Sequence, residues 1–205
     1  MAAQRLSSQF DALVKRASTD SAFAFALAKA LHTCTEADGK YRALSKQTSE
    51  LGARAEETLA KYDREYAMCA GLSKEQLEQQ YGLMEQAARQ GVLDAQLAYS
   101  ELVNTALDNG YATRTPGATD RFRTNVDQFL DAAARSGDLD GMIRAYMFQS
   151  TGILAPRNPV RAYGYLYAYD RAVAGDAARA SLSMQNLLRS WRQLTPEQQR
   201  QVPPP

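Results

Sequence analysis

Apolar positions recur along this chain at intervals of three and four, the spacing of one face of an α-helix. The first such stretch carries Phe10, Leu13, Val14 and Ala17, and Ser18, Thr19 and Asp20 behind it supply an N-cap for the next helix. The second stripe runs Phe23, Leu27, Ala30, Leu31, Cys34, and Asp38-Gly39 reads as a turn after it. A long third segment spaces Tyr41, Leu44, Thr48, Leu51, Ala55, Thr58, Tyr62, Glu65 and Cys69 by threes and fours. Gly52 interrupts it, so a break over residues 49–52 is expected. Ser73-x-x-Gln76 has the form of a capping box and opens a further helix.

Beyond residue 73 the chain repeats itself. Ala88-Arg89-Gln90-Gly91, Ala134-Arg135-Ser136-Gly137 and Ala172-Val173-Ala174-Gly175 each precede an aspartate: Asp94, Asp140 and Asp176. The glycines lie 46 residues apart (Gly91 to Gly137) and then 38 (Gly137 to Gly175), a period expected of stacked helical hairpins. Residues 109–120, rich in Gly and Thr with a Pro, read as a long loop that lengthens the first interval. Pro156 and Pro159 mark a shorter loop. Thr195-Pro196 reads as the N-cap and first turn of a last helix, before the Pro203-Pro204-Pro205 tail.

The second unit resembles a Sel-one-like repeat, a relative of the tetratricopeptide repeat. The likeness rests on Ala133-Ala134-Arg135-Ser136-Gly137, on Ala145-Tyr146, on the loop Gly152-Ile153-Leu154-Ala155-Pro156-Arg157-Asn158 and on Arg161-Ala162-Tyr163-Gly164-Tyr165-Leu166-Tyr167-Ala168-Tyr169. The first unit matches over residues 87–103 and then departs. The third keeps its corner but not a clear loop or second helix. The resemblance implies an all-α fold: an α/α solenoid of antiparallel helical hairpins behind an N-terminal helical region. It also implies protein–protein contacts and, as for many bacterial relatives, export. The organisation expected is an N-terminal helical region at 1–72, repeats over 73–195, and a helix start with a proline tail at 196–205.

Composition narrows the function classes. Of the 205 residues 45% are hydrophobic and 23% charged, and the formal net charge is +1. That balance argues against a nucleic-acid binder, which carries a basic excess, and against a disordered chain. The most apolar run, residues 22–31, is half the ~20 residues a bilayer span needs and contains Lys29. The N-terminus shows no signal-peptide core. Either the chain is cytosolic, or Met1 begins a chain trimmed of an export signal; the periplasm is the expected site and the cytoplasm the alternative.

Candidate chemistry is sparse. His32 is the single histidine, and its helical neighbours do not face it. No Cys/His spacing suits zinc, and no nucleophile-elbow, phosphate-loop or dinucleotide fingerprint occurs. No cofactor or metal is expected, and the reading is of a protein that is not an enzyme.

The tyrosines carry the binding hypothesis. On a helix Ala162, Tyr165, Leu166, Tyr169 and Ala172 share one face, expected to be the packed one. Tyr163 and Tyr167 share another, where they either cover a neighbouring hairpin or, with Tyr146 and Arg144, anchor a partner in a groove. That partner is another protein, a secreted toxin or an envelope protein, and the chain an adaptor or inhibitor. The alternatives are an immunity protein that neutralises a secreted antibacterial toxin, and an accessory domain of an envelope enzyme.

Cys34 and Cys69 sit on the apolar stripes of consecutive segments. A hairpin turning at Gly39 would leave Cys69 roughly 45 Å away along continuous helix, whereas a disulfide needs Cα atoms within about 7 Å. A Cys34–Cys69 bond therefore requires reversal near residues 49–52, with 53–69 returning beside Cys34. The alternative is one unbroken helix over 41–68 and two free thiols.

Overall fold

The computed structural model describes residues 6–51, 63 and 67–205, and among these every regular element is helical. A 3₁₀ turn over Leu6–Gln9 leads into α1 (Phe10–Ala17) and α2 (Ser21–Leu51). Then follow α3 (Lys74–Arg89), α4 (Leu93–Asp108), α5 (Tyr111–Arg114), α6 (Ala118–Arg135), α7 (Leu139–Thr151), α8 (Pro159–Ala172), α9 (Ala177–Gln193) and α10 (Pro196–Gln199). Among the described residues no helix is long and apolar enough to cross a membrane.

The chain divides into two compact units, Met1–Ala95 and Gln96–Pro205. The division does not fall at the residue 72/73 boundary expected from the sequence. Helix α3 packs against α2 and so belongs with the N-terminal unit.

The N-terminal unit is built on α2. Asp20 opens it, its carboxylate accepting from the Phe23 amide at 2.9 Å. Ala24, Leu27, Ala28, Leu31 and Cys34 form its buried stripe, and Phe10, Ala17, Tyr81, Met84, Ala87 and Ala88 from α1 and α3 complete that core. The expected turn at Asp38-Gly39 is corrected: α2 continues through both residues to Leu51. A glycine inside a helix costs about 1 kcal/mol, which the helix formers on either side absorb without a break. The break expected at residues 49–52 lies at the edge of the described residues, and the return strip 53–69 falls mostly outside them. Cys69 is described, and it is bonded to Cys34 with their Cα atoms 5.3 Å apart. The bridge therefore forms, and the alternative with two free thiols is overturned.

Caps and small polar contacts set the rest of this unit. Ser73 and Gln76 form the expected capping box: the Ser73 amide donates to Gln76 Oε1 at 2.9 Å and the Gln76 amide to Ser73 Oγ at 3.2 Å. Gln86 Nε2 donates to the Ala17 carbonyl, which satisfies an open C-terminal group of α1 at 2.8 Å. Gln80 is 1% exposed yet bonded at both ends of its amide, its Nε2 donating to Thr35 Oγ1 at 2.8 Å and its Oε1 meeting His32 Nδ1 at 3.2 Å. His32 Nε2 lies 3.4 Å from Glu36.

The C-terminal unit stacks shorter helices. Gly137, at φ +89°, ends α6 in the left-handed conformation that a side chain would resist. Asp138 then caps α7 by accepting from the Gly141 amide at 2.7 Å. A Cβ on Gly141 would lie 2.8 Å from Ala133 and Ala134 backbone atoms, so the small residues of the corner let α6 and α7 touch. Further along, Gln149 Nε2 donates to Asp127 at 2.6 Å. Gly141 meets Ala133 while Gln149 meets Asp127, so the two helices run antiparallel.

Helix α8 begins with Asn158 as N-cap and Pro159 at its first turn, and it spans Tyr163, Tyr165, Tyr167 and Tyr169, which alternate along the sequence as in a strand yet are helical as the repeat resemblance implies. Its Arg161 donates to Asp127 at 2.8 Å and its Tyr165 to Asp131 at 2.6 Å. Both pairs have the same offset of 34 residues, so α8 runs parallel to α6. Residues 109–120 are more ordered than the loop expected. They hold the turn α5 between Gly110 and Gly117, both at positive φ, with Ala112 and Ala118 buried.

Candidate functional site

An open groove of about 420 Å³ lies in the C-terminal unit. One wall is α7, which presents Asp140, Ile143, Arg144, Met147, Phe148 and Thr151, all at spacings of three and four and hence on one face. Ser100, Glu101 and Asn104 of α4 face it, Val126 and Leu130 of α6 form the floor, and Ile153 and Leu154 close one end from the loop after α7. The N-cap at Asp138 and the left-handed Gly152 fix the two ends of α7, and so place the charged and apolar ends of the groove.

The two ends differ in character. At the α7 N-terminal end Arg144 donates to Glu101 at 2.6 Å, and Asp140 stands exposed beside them. The guanidinium is thus paired with Glu101, and Asp140 lines the same end. At the other end Met147 is 54% and Ile153 75% exposed. Apolar side chains so open to water next to an apolar floor are what an association surface displays.

Of the residues the sequence nominated, Arg144 lines the groove and the tyrosines do not. Tyr163 is 0% exposed and is corrected from surface anchor to core residue. It packs with Leu166, Leu187 and Leu194, its ring 5.4 Å from that of Trp191, and its hydroxyl donates to the Pro203 carbonyl at 2.9 Å. Tyr146 and Tyr167 are half-buried against the same cluster. The physical reason is the cover on α8: α9 and the segment through Val202 close over the Tyr163 side. The buried face of α8 is therefore Ala162, Tyr163, Leu166 and Asp170, rotated from the expected one, and Ala172 is exposed. Burial pushes the Tyr163 hydroxyl up to about 12, reinforced by Tyr167 and Asp170.

A second, shallower cleft of about 390 Å³ is floored by Ala134, Gly164 and Ala168 and edged by a polar cluster. Tyr165 donates to Asp131 and accepts from Arg161 at 3.0 Å, and Arg135 reaches the other Asp131 oxygen at 2.7 Å. Burial pushes the Tyr165 hydroxyl up to about 12, and its bond to Asp131 adds to this against the opposing pull of Arg161. Burial of Asp131 opposes its ionisation, but the bonds from Tyr165 and Arg135 outweigh it and hold the carboxyl below its usual range. Each of these groups already has its partners across α6 and α8. The cluster clamps two helices.

Sequence reasoning missed the groove. Its signal was faint but present: the stripe Asp140, Ile143, Met147, Thr151 on α7, followed by Gly152-Ile153. What it lacked was any indication that these apolar residues would stay uncovered while the tyrosines became covered.

Neither a protein-family model, nor a curated protein, nor a solved structure matches this chain.

Proposed function

We propose that this chain is a non-catalytic protein-binding helical-repeat protein, an adaptor or inhibitor of the bacterial periplasm, whose helices stack as Sel-one-like hairpins. The observation that carries the reading is the open groove with Met147 and Ile153 exposed along an apolar floor. A groove of this kind suits the apolar side chains of another protein, whose contacts with exposed Met are soft and adaptable.

Three further observations support it. The parallel course of α6 and α8 is the arrangement expected of equivalent helices in successive hairpins. The close approach of Gly141 to Ala133 and Ala134 gives the small residues of the repeat corner a packing reason. The Cys34–Cys69 bridge is compatible with an oxidising compartment.

The test is retention of partner proteins from the envelope of the native host by the wild-type chain and by Met147→Asp/Ile153→Asp. Both substitutions are at exposed positions, so unchanged helicity and melting are expected. A partner kept by the wild type and lost by the variant supports the groove. Equal retention by both, or none by either, overturns it. A single toxin bound one-to-one and neutralised would assign the immunity role.

A further inference from the structure

We infer that the groove's occupant is helix α9 of a second copy of this chain, so that copies associate head to tail through two different surfaces. The inference rests on the reading of the groove as a docking surface and adds what fills it.

Helix α9 buries one side, through Ser183 and Leu187, and leaves a broad arc open. Leu182 is 62%, Met184 39% and Leu188 37% exposed. Met184 and Leu188, four residues apart, share one flank of that arc with Ala177, while Leu182 and Ala178 lie on the other flank, with exposed Arg179, Ser181 and Gln185 among them. The C-terminal half carries Arg189 and Arg192, both exposed and without a carboxylate partner among the described residues. The whole helix, AARASLSMQNLLRSWRQ, contains no acidic residue.

The groove is the complement of this arc in charge and in layout. One end, where Asp140 stands exposed and Glu101 is bonded to Arg144, carries one net negative charge and lies toward the start of α7; the apolar end, Met147 and Ile153, lies toward the finish. From Asp140 to Met147 is about 10 Å along the helix, and from Arg192 back to Met184 about 12 Å. A copy of α9 laid antiparallel to α7 therefore sets Arg192 against Asp140 and Met184 against Met147, with Leu188, about 6 Å from Arg192, level with Ile143. Because groove and helix are different surfaces, the contact is heterologous. It leaves a free groove at one end and a free α9 at the other, and growth continues unless the rotation closes a ring.

The experiment uses the full chain in sedimentation equilibrium. The wild type is expected to show mass rising with concentration beyond the dimer. A groove-blocked variant, Met147→Glu/Ile153→Glu, and a helix-blocked variant, Met184→Glu/Leu188→Glu, should each be monomeric, with association weakened about thirtyfold or more for the loss of an apolar anchor pair. Mixed in equal amounts they retain one good groove and one good helix, and should form a dimer and nothing larger.

Since Met184 and Leu188 are only partly exposed, Arg189→Glu/Arg192→Glu provides a second helix-side change that leaves the apolar residues intact. It should weaken association several-fold, more at low salt, and Asp140→Arg on the other copy should restore it. A wild type that stays monomeric at its highest attainable concentration overturns the inference. So does association that survives either block, or a mixture that remains monomeric. Loss of a host partner by the groove variant while the wild type is monomeric would leave the docking groove standing and remove only self-association.

Discussion

The two units reach stability by different routes. The N-terminal unit has one helix of 31 residues, α2, and ties a distant point of the chain back to it with a covalent bridge. The C-terminal unit has no bridge. It joins α6, α7 and α8 by small residues that allow contact and by a shared polar cluster, Asp127, Asp131, Arg161 and Tyr165. Constraint in the first acts chiefly on the unfolded chain, by limiting its freedom. Constraint in the second acts within the native packing, where each partner must be present at its place. Loss of the bridge should therefore cost much at one stroke, whereas the C-terminal unit should lose stability in smaller, residue-specific steps.

Removal of the bridge is the largest test. Its cysteines are separated by 35 residues, and opening a loop of that size costs about 3–4 kcal/mol in the chain-entropy model. Trp191 is the single tryptophan and belongs to the C-terminal core, so its fluorescence reports that unit alone. In Cys34→Ser/Cys69→Ser the urea midpoint by circular dichroism should fall, with the tryptophan transition left in place. A parallel fall of both would break the distinction between the units.

Next in size is Gly141→Val, which puts a branched side chain where even a Cβ would meet Ala133 at 2.8 Å. Forcing α6 and α7 apart should cost about 1–3 kcal/mol and lower the tryptophan transition.

The alkaline limb sharpens the contrast further. Tyr163 and Tyr165 both titrate near 12 in the folded protein, against about 10 in an unfolded chain. Between those values the native state holds protons that the unfolded state has released. Their contribution is whole below pH ~10 and falls away as pH rises toward 12. Tyrosinate absorbance should show Tyr163 and Tyr165 among the late-titrating groups. Tyr163→Phe should remove one of them, and through the lost bond to Pro203 should cost about 1 kcal/mol.

The smallest expected effect is at Ser183. Its Oγ is buried and has no hydrogen-bond partner among the described residues, so Ser183→Ala should change stability by no more than about 0.5 kcal/mol, in the stabilising direction. Clear destabilisation would show that the hydroxyl is satisfied in solution.

Most of the local structure was legible in the residues themselves. The capping box at Ser73–Gln76, the N-caps Asp20 and Thr195 and the corner Gly137 all follow from short-range preferences, whereas the helix through the alternating tyrosines was legible only through the repeat it belongs to. The Cys34–Cys69 bond was legible too, because helical rise and disulfide reach left few geometries. The misreadings share a cause. Asp38-Gly39 looks like a turn, and residues 109–120 look like a loop, because glycine permits such conformations without requiring them.

For the binding surface the division is sharper. The sequence alone determined that the chain is helical, where most helices begin and which cysteines meet, since capping, periodicity and chain length act over a few residues or a known rise. Which apolar side chains stay open to water was decided only in the tertiary structure. Tyr163 and Met147 are both large residues on helical stripes. One is enclosed because α9 and the segment after it fold back over α8, and the other is exposed because, among the described residues of the C-terminal unit, no element covers that face of α7. Exposure belongs to the arrangement of neighbours distant in sequence, and no local preference of either residue encodes it.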